Sequence, residues 1–177
     1  MKLIKLNRLN FLRVAMMLLV GALTTTTAWA DEPGHEIVVI ADPHVIGDGL
    51  QDEGTAWQNY LAGSRKLIDQ SQVLFNQTVL GIKTQKPELV LIVGDLTKDG
   101  EQASHDYVKV KLDDLKTAGI PTLVIPGNHD RGTTDAKIYN GEETSDAPVI
   151  GTAAAFATLY ADYGYGASSD QIGRAHV

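Results

Sequence analysis

The chain has 177 residues, enough for one domain with a sizeable core, and its 44% hydrophobic and 21% charged residues are typical of a globular protein. It carries 22 acidic residues against 15 Lys and Arg, so its formal net charge is −7. Such a balance disfavours binding to duplex nucleic acid or to anionic membranes. The lack of cysteine excludes disulfides, a thiolate nucleophile, thiolate metal sites and a lipid-modified cysteine anchor.

Residues 1–30 have the layout of a secretory signal peptide. A basic start precedes an apolar run over Val14–Leu23, and the pattern Ala28-Trp29-Ala30 predicts cleavage after Ala30. The apolar run is too short for a membrane span, which needs about 20 residues. Cleavage would remove four cations and no acids, leaving 11 cations against 22 acids. We expect an exported protein, periplasmic or secreted, that is not attached to a membrane afterwards.

The other end of the chain also has an unusual composition. The last six residues, Ile172–Val177, can be encoded by the bases of a widely used sequencing adapter, followed in frame by a stop codon. We therefore expect residues 172–177 to be a non-native tail, and His176 is not counted among the candidate ligands.

The predicted elements begin with a short β-branched run, Ile37-Val38-Val39-Ile40, within a buried strand from Glu36 to Ala41. Residues 47–63 form a polar, glycine-dotted stretch that predicts a loop with a short helical piece. Apolar residues then recur at helical spacing from Ser64, a plausible N-cap, until Pro87 ends the helix.

A second apolar run at 89–93 predicts a strand ending at Gly94-Asp95, and an amphipathic helix follows over about 101–118. A third strand is predicted over 121–125, then a polar loop and a helix over about 153–163. Continuous apolar strands that alternate with helices predict an α/β fold with a mainly parallel sheet covered on both faces. Right-handed crossovers place the carboxyl ends of all three strands at one edge of the sheet.

Polar residues follow closely after each predicted strand, within one to five positions. They are Asp42 and His44 after the first, Asp95 after the second, and Asn128, His129 and Asp130 after the third. Because these strand ends share one edge, we expect the side chains to converge there. Carboxylate, imidazole and amide ligands suit Mn²⁺, Fe²⁺ or Zn²⁺, so the pattern predicts a metal site. The alternation Asp42-Pro43-His44 would aim both side chains the same way if the strand pleat continued through Pro43.

These segments resemble the calcineurin-like metallophosphoesterase superfamily. Its pattern is Asp-x-His, Gly-Asp, Gly-Asn-His-Asp/Glu, a later His and a final Gly-His-x-His, and the first three blocks occur here in order, the last of them at Gly127-Asn128-His129-Asp130. The resemblance implies an α/β/β/α sandwich, of which residues 31–171 would be the N-terminal part.

The resemblance also implies a set of ligands for two divalent metal ions, Mn, Fe or Zn. Asp42 and His44 resemble the ligands of the first metal. Asp95 resembles the carboxylate that bridges both metals, and Asn128 resembles a side-chain oxygen ligand of the second.

Two further residues resemble catalytic groups. His129 resembles the imidazole that contacts the phosphate and assists the leaving oxygen, and Asp130 resembles the acid that hydrogen-bonds and orients that imidazole. The implied activity is metal-dependent hydrolysis of phosphodiesters or phosphomonoesters by a two-metal-activated hydroxide. The substrate would be a small phosphate ester or a nucleotide, and the mono- or diester preference and the oligomeric state stay open.

The sequence departs from the family pattern after Asp130. The later histidine and the final Gly-His-x-His are absent, so each metal would lack family ligands. We therefore expect the 177-residue chain to bind metal weakly and to be inactive by itself. We also expect some apolar surface to stay uncovered because the rest of the sandwich is missing.

Two other classes of protein were considered. Some members of this superfamily are non-catalytic interaction scaffolds, although a scaffold does not need the imidazole of His129. A nucleotide-binding α/β domain is disfavoured because no glycine-rich phosphate loop follows the first strand. Lys98, three residues after Asp95, is interpreted as a solvated loop lysine, with a contact to substrate phosphate as the alternative.

Overall fold

The computed structural model describes residues 34–166. The predicted signal peptide at 1–30 and the predicted non-native tail at 172–177 lie outside the described residues. Within 34–166, no helix combines the length and apolar character needed to cross a bilayer.

A three-stranded parallel sheet organises the described residues. Its strands are β1 (Ile37–Ala41), β2 (Leu89–Val93) and β3 (Thr122–Ile125), in the order β1-β2-β3. The register pairs Ala41 with Val93 and Val93 with Ile125, so all three strands end side by side. This confirms the predicted parallel sheet and its common carboxyl edge.

Four α-helices follow or connect these strands: α1 (Thr55–Gly63), α2 (Ser71–Gln85), α3 (Gln102–Thr117) and α4 (Ala153–Leu159). The prediction of one helix starting at Ser64 is wrong. Ser64 instead ends α1, donating its backbone N–H to the Leu61 carbonyl, and a short 3₁₀ turn at Ile68–Gln70 precedes α2. Apolar residues recur at helical spacing through the 3₁₀ turn and on into α2. Their periodicity alone therefore did not show where the α-helix begins.

A two-stranded antiparallel hairpin occupies part of the predicted polar loop. It consists of β4 (Lys137–Asn140) and β5 (Glu143–Asp146), joined at Gly141, whose φ is +62°. The left-handed backbone at Gly141 fits the tight turns that match strand twist, and Asn-Gly is a known hairpin signal. The β5 residues are all exposed and polar, so no apolar alternation marked the strand in the sequence.

The main core lies on one face of the parallel sheet. Inward-facing residues of the strands, Val90, Ile92 and Val124, are at most 2% exposed. They pack in one cluster with the buried apolar faces of the helices, which comprise Phe75, Val79 and Ile82 of α2, Val108, Leu112 and Leu115 of α3, and Phe156 of α4. This packing holds the three strand ends in register.

The opposite face of the sheet is largely open within residues 34–166. Ile37, Val39 and Ile125 are 52%, 59% and 45% exposed. The prediction of coverage on both faces, and of a fully buried first strand, is therefore wrong for these residues. These apolar side chains are exposed within the described residues, and the expectation that further parts of a sandwich would cover them stays a prediction.

His105 of α3 is a fully buried imidazole in this core. Its Nε2 lies 3.1 Å from the Asp130 carbonyl and its Nδ1 3.0 Å from the Tyr160 hydroxyl. Both contacts are satisfied by the neutral ring, which donates from Nε2 and accepts at Nδ1. Desolvation by burial lowers the pKa of His105 below its ordinary value of 6.5, against the charges of Asp130 and Glu101.

This lowered pKa predicts a dependence of stability on pH. Below about pH 6.5 the side chain at residue 105 is protonated more readily in the unfolded chain than in the folded chain. The free energy of unfolding therefore falls as the pH falls. The loss is at most about 1.4 kcal/mol per pH unit. Urea unfolding at pH 7.5, 6.5 and 5.5 measures it, and a His105→Gln variant should show a shallower slope. An unchanged slope in that variant would contradict the assignment.

Candidate metal centre

Three short loops meet where the strands end. The loop after β1 is hydrogen-bonded to the loop after β2, because the His44 N–H donates to the Asp95 carbonyl and the Val45 N–H to the Leu96 carbonyl, both at 2.9 Å. A 3₁₀ turn at His129–Arg131 follows β3. The common carboxyl edge therefore brings together residues from positions that are far apart in sequence.

His44, Asp95 and His129 form a compact group at this edge. One ligand atom from each of the three lies within 4.8 Å of the others. The His44 Nε2 is 3.6 Å from an Asp95 carboxylate oxygen, and the two imidazole rings stand perpendicular with centroids 4.8 Å apart. His44 and Asp95 are each 8% exposed, so the group is largely shielded from water. The structure thus brings these three of the predicted site residues together.

Left-handed backbone conformations occur at the same loops. The φ angles of Asp42, His44 and Asp95 are +50°, +43° and +42°. Non-glycine residues rarely adopt this region, although Asp and His are among the more tolerant, and such strain gathers at functional sites. The strand pleat does not continue through Pro43, since β1 ends at Ala41 and both flanking residues leave the extended region, so the condition for a shared direction of Asp42 and His44 is not met.

The carboxylate of Asp95 sits directly against the loop after β3. One of its oxygens accepts the backbone N–H of His129 at 2.9 Å. A Cβ atom placed on Gly127 would lie 2.1 Å from that same oxygen. Position 127 therefore needs glycine so that the backbone can approach Asp95, which gives a physical reason for the glycine of Gly-Asn-His-Asp.

The environment of His44 favours its neutral form. Burial lowers its pKa below the ordinary 6.5, and the nearby ammonium of Lys66 lowers it further, while Asp95 opposes both. Only the neutral ring has a free lone pair for a metal ion. His44 therefore keeps a ligand-competent form to a lower pH than a free imidazole.

Asp42 and Asn128 lie at the periphery of this group. Asp42 is exposed and lines an open cavity beside His44, and it is not among the three side chains that approach within 4.8 Å. Asn128 directly precedes His129 in the chain, at the end of β3, and its side chain is exposed. Both are on the expected edge of the sheet and face solvent.

The imidazole of His129 is held by the loop that follows β2. Its Nδ1 lies 2.7 Å from the Lys98 carbonyl and 2.8 Å from an Asp99 carboxylate oxygen. Both partners are acceptors, so Nδ1 carries the proton. The other nitrogen, Nε2, lies 3.4 Å from the ammonium of Lys66. Asp99 thus fixes the orientation and the tautomer of the ring.

The expected contact between Asp130 and the His129 ring is wrong. Asp130 is fully buried, and its carboxylate accepts the backbone N–H groups of Leu96, Thr97 and Gly127 at 2.8–3.0 Å, together with the Thr97 hydroxyl at 2.8 Å. These four donors join the loops after β2 and β3. In this structure Asp130 organises the backbone of the site.

Lys98 is buried, so its interpretation as a solvated lysine is also wrong. It is 1% exposed and pairs with Asp99 and with Glu101, and its ammonium lies 4.8 Å from the Tyr60 ring centroid. Burial by itself would lower its pKa, but the hydrogen bond to Asp99 and the charge of Glu101 outweigh burial and raise it. Lys98 therefore holds Asp99 in place and does not face the open side of the site.

Asp99 was not predicted, because the family resemblance assigned the adjacent Asp130 as the partner of the His129 ring. The available signal was a second acid four residues after Asp95, in the same short loop. Lys66 was overlooked as well, because it lies in the loop between α1 and α2 and not at the end of a strand.

The three converging side chains suit a divalent metal ion. Two imidazoles and a carboxylate are ligands for Zn²⁺, Mn²⁺ or Fe²⁺. The group alone does not distinguish these metals.

The fold of the described residues is thus a parallel α/β sheet with this set of side chains at its carboxyl edge. The family model described as calcineurin-like phosphoesterase matches residues 35–170. The chain therefore belongs to the calcineurin-like phosphoesterase family.

A curated relative shares a shorter segment. It is described as "Probable cyclic nucleotide phosphodiesterase", from Synechococcus sp., and is 38% identical over 50 residues. That segment is 28% of this chain and 18% of the relative. The match thus concerns one part of a longer protein.

Proposed function

We propose that this protein is an exported, metal-dependent phosphoesterase that hydrolyses small phosphate esters or nucleotides. The observation that carries the proposal is the approach of His44, Asp95 and His129 to within 4.8 Å at the carboxyl edge of the sheet. Membership of the calcineurin-like phosphoesterase family supports phosphate-ester hydrolysis in general.

Four residues would hold the metal ions in this proposal. His44 and Asp95 supply a buried imidazole and carboxylate, while Asp42 and Asn128 supply oxygens from the exposed side. Divalent ions bound there would activate water, neutralise the phosphoryl oxygens and align the attack. The left-handed conformations of Asp42, His44 and Asp95 keep these donors at the loop tips before any ligand arrives.

His129 would assist the departure of the leaving oxygen. Asp99 and the Lys98 carbonyl hold the proton at Nδ1, so Nε2 is the nitrogen that faces the open side of the site. An ester oxygen that leaves as an alkoxide is a poor leaving group. The doubly protonated ring, whose positive charge the Asp99 carboxylate would stabilise, would donate its Nε2 proton to that oxygen and return to the neutral form. The buried pair of Lys98 and Glu101 keeps Asp99 positioned for this role.

The test is turnover of bis-p-nitrophenyl phosphate and p-nitrophenyl phosphate by the full gene product with Mn²⁺. We expect hydrolysis of at least one compound, its loss with EDTA and its return on adding Mn²⁺. His44→Ala should lose both metal and activity, whereas His35→Ala, an exposed histidine outside the site, should keep both. Folded, metal-loaded protein that turns over neither compound would favour a non-catalytic scaffold instead.

A further inference from the structure

An open cavity of about 360 Å³ adjoins the candidate metal centre. It shares Asp42, His44 and Lys66 with the edge of the sheet, and it extends from there along the N-terminal half of α2. Ligand sites commonly have volumes of roughly 300–1,000 Å³, and even a cavity of about 150 Å³ is enough for benzene. The space is therefore large enough for the organic part of a small ester.

The wall on the side of α2 is mostly apolar. Its apolar residues are Leu67, Ile68, Leu74 and Phe75. Leu67 and Leu74 are 63% and 49% exposed, although they flank a concave surface. A single exposed leucine means little, but two that border one cavity beside a candidate metal centre form a local apolar patch.

Lys66 stands where the cavity meets the metal centre. Its ammonium lies 3.2 Å from the His44 Nδ1 and 3.4 Å from the His129 Nε2. It is therefore within reach of the position that a phosphate would take between these two rings. A lysine ammonium binds phosphate oxygens as a point charge with three donors.

We propose that this cavity binds the organic group of the phosphate ester, that this group is apolar, and that Lys66 contacts the phosphate. The inference rests on the proposed function, because it places the phosphate at the metal centre. The end that would hold the phosphate is at the strand ends beside Lys66, and the apolar end lies along α2. A phosphate ester with an alkyl or aryl group would place its phosphate at the first end and its apolar group at the second. A sugar phosphate would instead place its hydroxyl groups against the leucine side chains.

Binding of phosphonates, which are not hydrolysed, tests the proposal without using activity. Methylphosphonate and hexylphosphonate are titrated by calorimetry into the full gene product with Mn²⁺. Hexylphosphonate should bind at least about tenfold more tightly, because burial of each methylene contributes about 0.8 kcal/mol and 1.4 kcal/mol is tenfold.

Matched variants separate the two parts of the site. Leu74→Asn should abolish most of the preference for the hexyl group, whereas Leu80→Asn should not, since Leu80 is similarly exposed on the same helix but does not line the cavity. Lys66→Met should weaken both phosphonates about tenfold and keep their ratio. Arg65→Met, an exposed neighbouring cation, should leave both affinities unchanged.

The outcomes distinguish this inference from the proposed function. Equal affinity for the two phosphonates would overturn the apolar cavity while leaving a phosphate-binding metal centre in place. A chain-length preference that survives Leu74→Asn, or equal effects of Lys66→Met and Arg65→Met, would also overturn it. If neither phosphonate bound to folded, metal-loaded protein, the proposed function and this inference would both fail.

Discussion

Replacement of His129 by alanine is expected to lower turnover of a phosphate ester by about 10²–10⁴-fold while the metal content stays unchanged. The physical reason is the position of Nε2, which faces the open side of the site while Nδ1 is held by Asp99 and the Lys98 carbonyl. The measurement is kcat and KM with bis-p-nitrophenyl phosphate or p-nitrophenyl phosphate, beside metal analysis of the same preparation.

Metal analysis decides between two roles for this imidazole. His129 lies in one group with His44 and Asp95, so its ring is also close enough to be a ligand. Retained metal with lost turnover supports a role at the leaving oxygen. Loss of metal from His129→Ala would instead make His129 a ligand and would contradict the assignment.

Asp99 supplies the companion variant for this prediction. Asp99→Asn should lower kcat by about 10–100-fold, as is usual when the partner that orients a histidine is removed. Because Asp99 would act through the ring, the double variant with His129→Ala should be little worse than His129→Ala alone. Additive losses would show that Asp99 acts by another route.

The second large effect is expected on stability. Asp130→Asn should lower the free energy of unfolding by about 3 kcal/mol, since hydrogen bonds to a charged group contribute roughly 1.5–3 kcal/mol each. The fully buried carboxylate accepts four hydrogen bonds, three of them from backbone N–H groups, and an amide NH₂ would face donors at one of its positions. Denaturant unfolding measures the change.

Asp114→Asn is the control for this variant. Asp114 is an exposed aspartate on α3, and its replacement should change stability by less than about 0.5 kcal/mol. An Asp130→Asn variant as stable as the native chain would contradict the structural role. If it kept its stability but lost turnover, Asp130 would support catalysis by orienting the His129 ring, as the family resemblance implied.

Much of the site could be read from local sequence patterns. The strands are short β-branched runs, and Asp42, Asp95 and Asn128 follow them within a few positions, so a parallel sheet was enough to predict convergence at one edge. The hairpin at 137–146 and the start of α2 were not predicted correctly. In these two places apolar periodicity was absent or continued through a break.

The partners of the site residues depend on backbone direction, which no local pattern encodes. Three left-handed residues, Asp42, His44 and Asp95, turn the loops away from the strand pleat. In the turn after β3, the adjacent acid Asp130 points into the backbone of the site, while Asp99, from another loop, reaches the His129 ring.

Short-range patterns in the sequence thus specify which residues come to the edge of the sheet, because strand order and strand ends follow from them and from right-handed crossovers. The contacts among these residues, and the position of Lys66 and the apolar wall of α2 beside them, emerge from the three-dimensional packing. A local sequence pattern can place a segment at the edge of the sheet. A hydrogen bond between two loops, in contrast, requires that its donor and acceptor atoms lie within about 3 Å of each other.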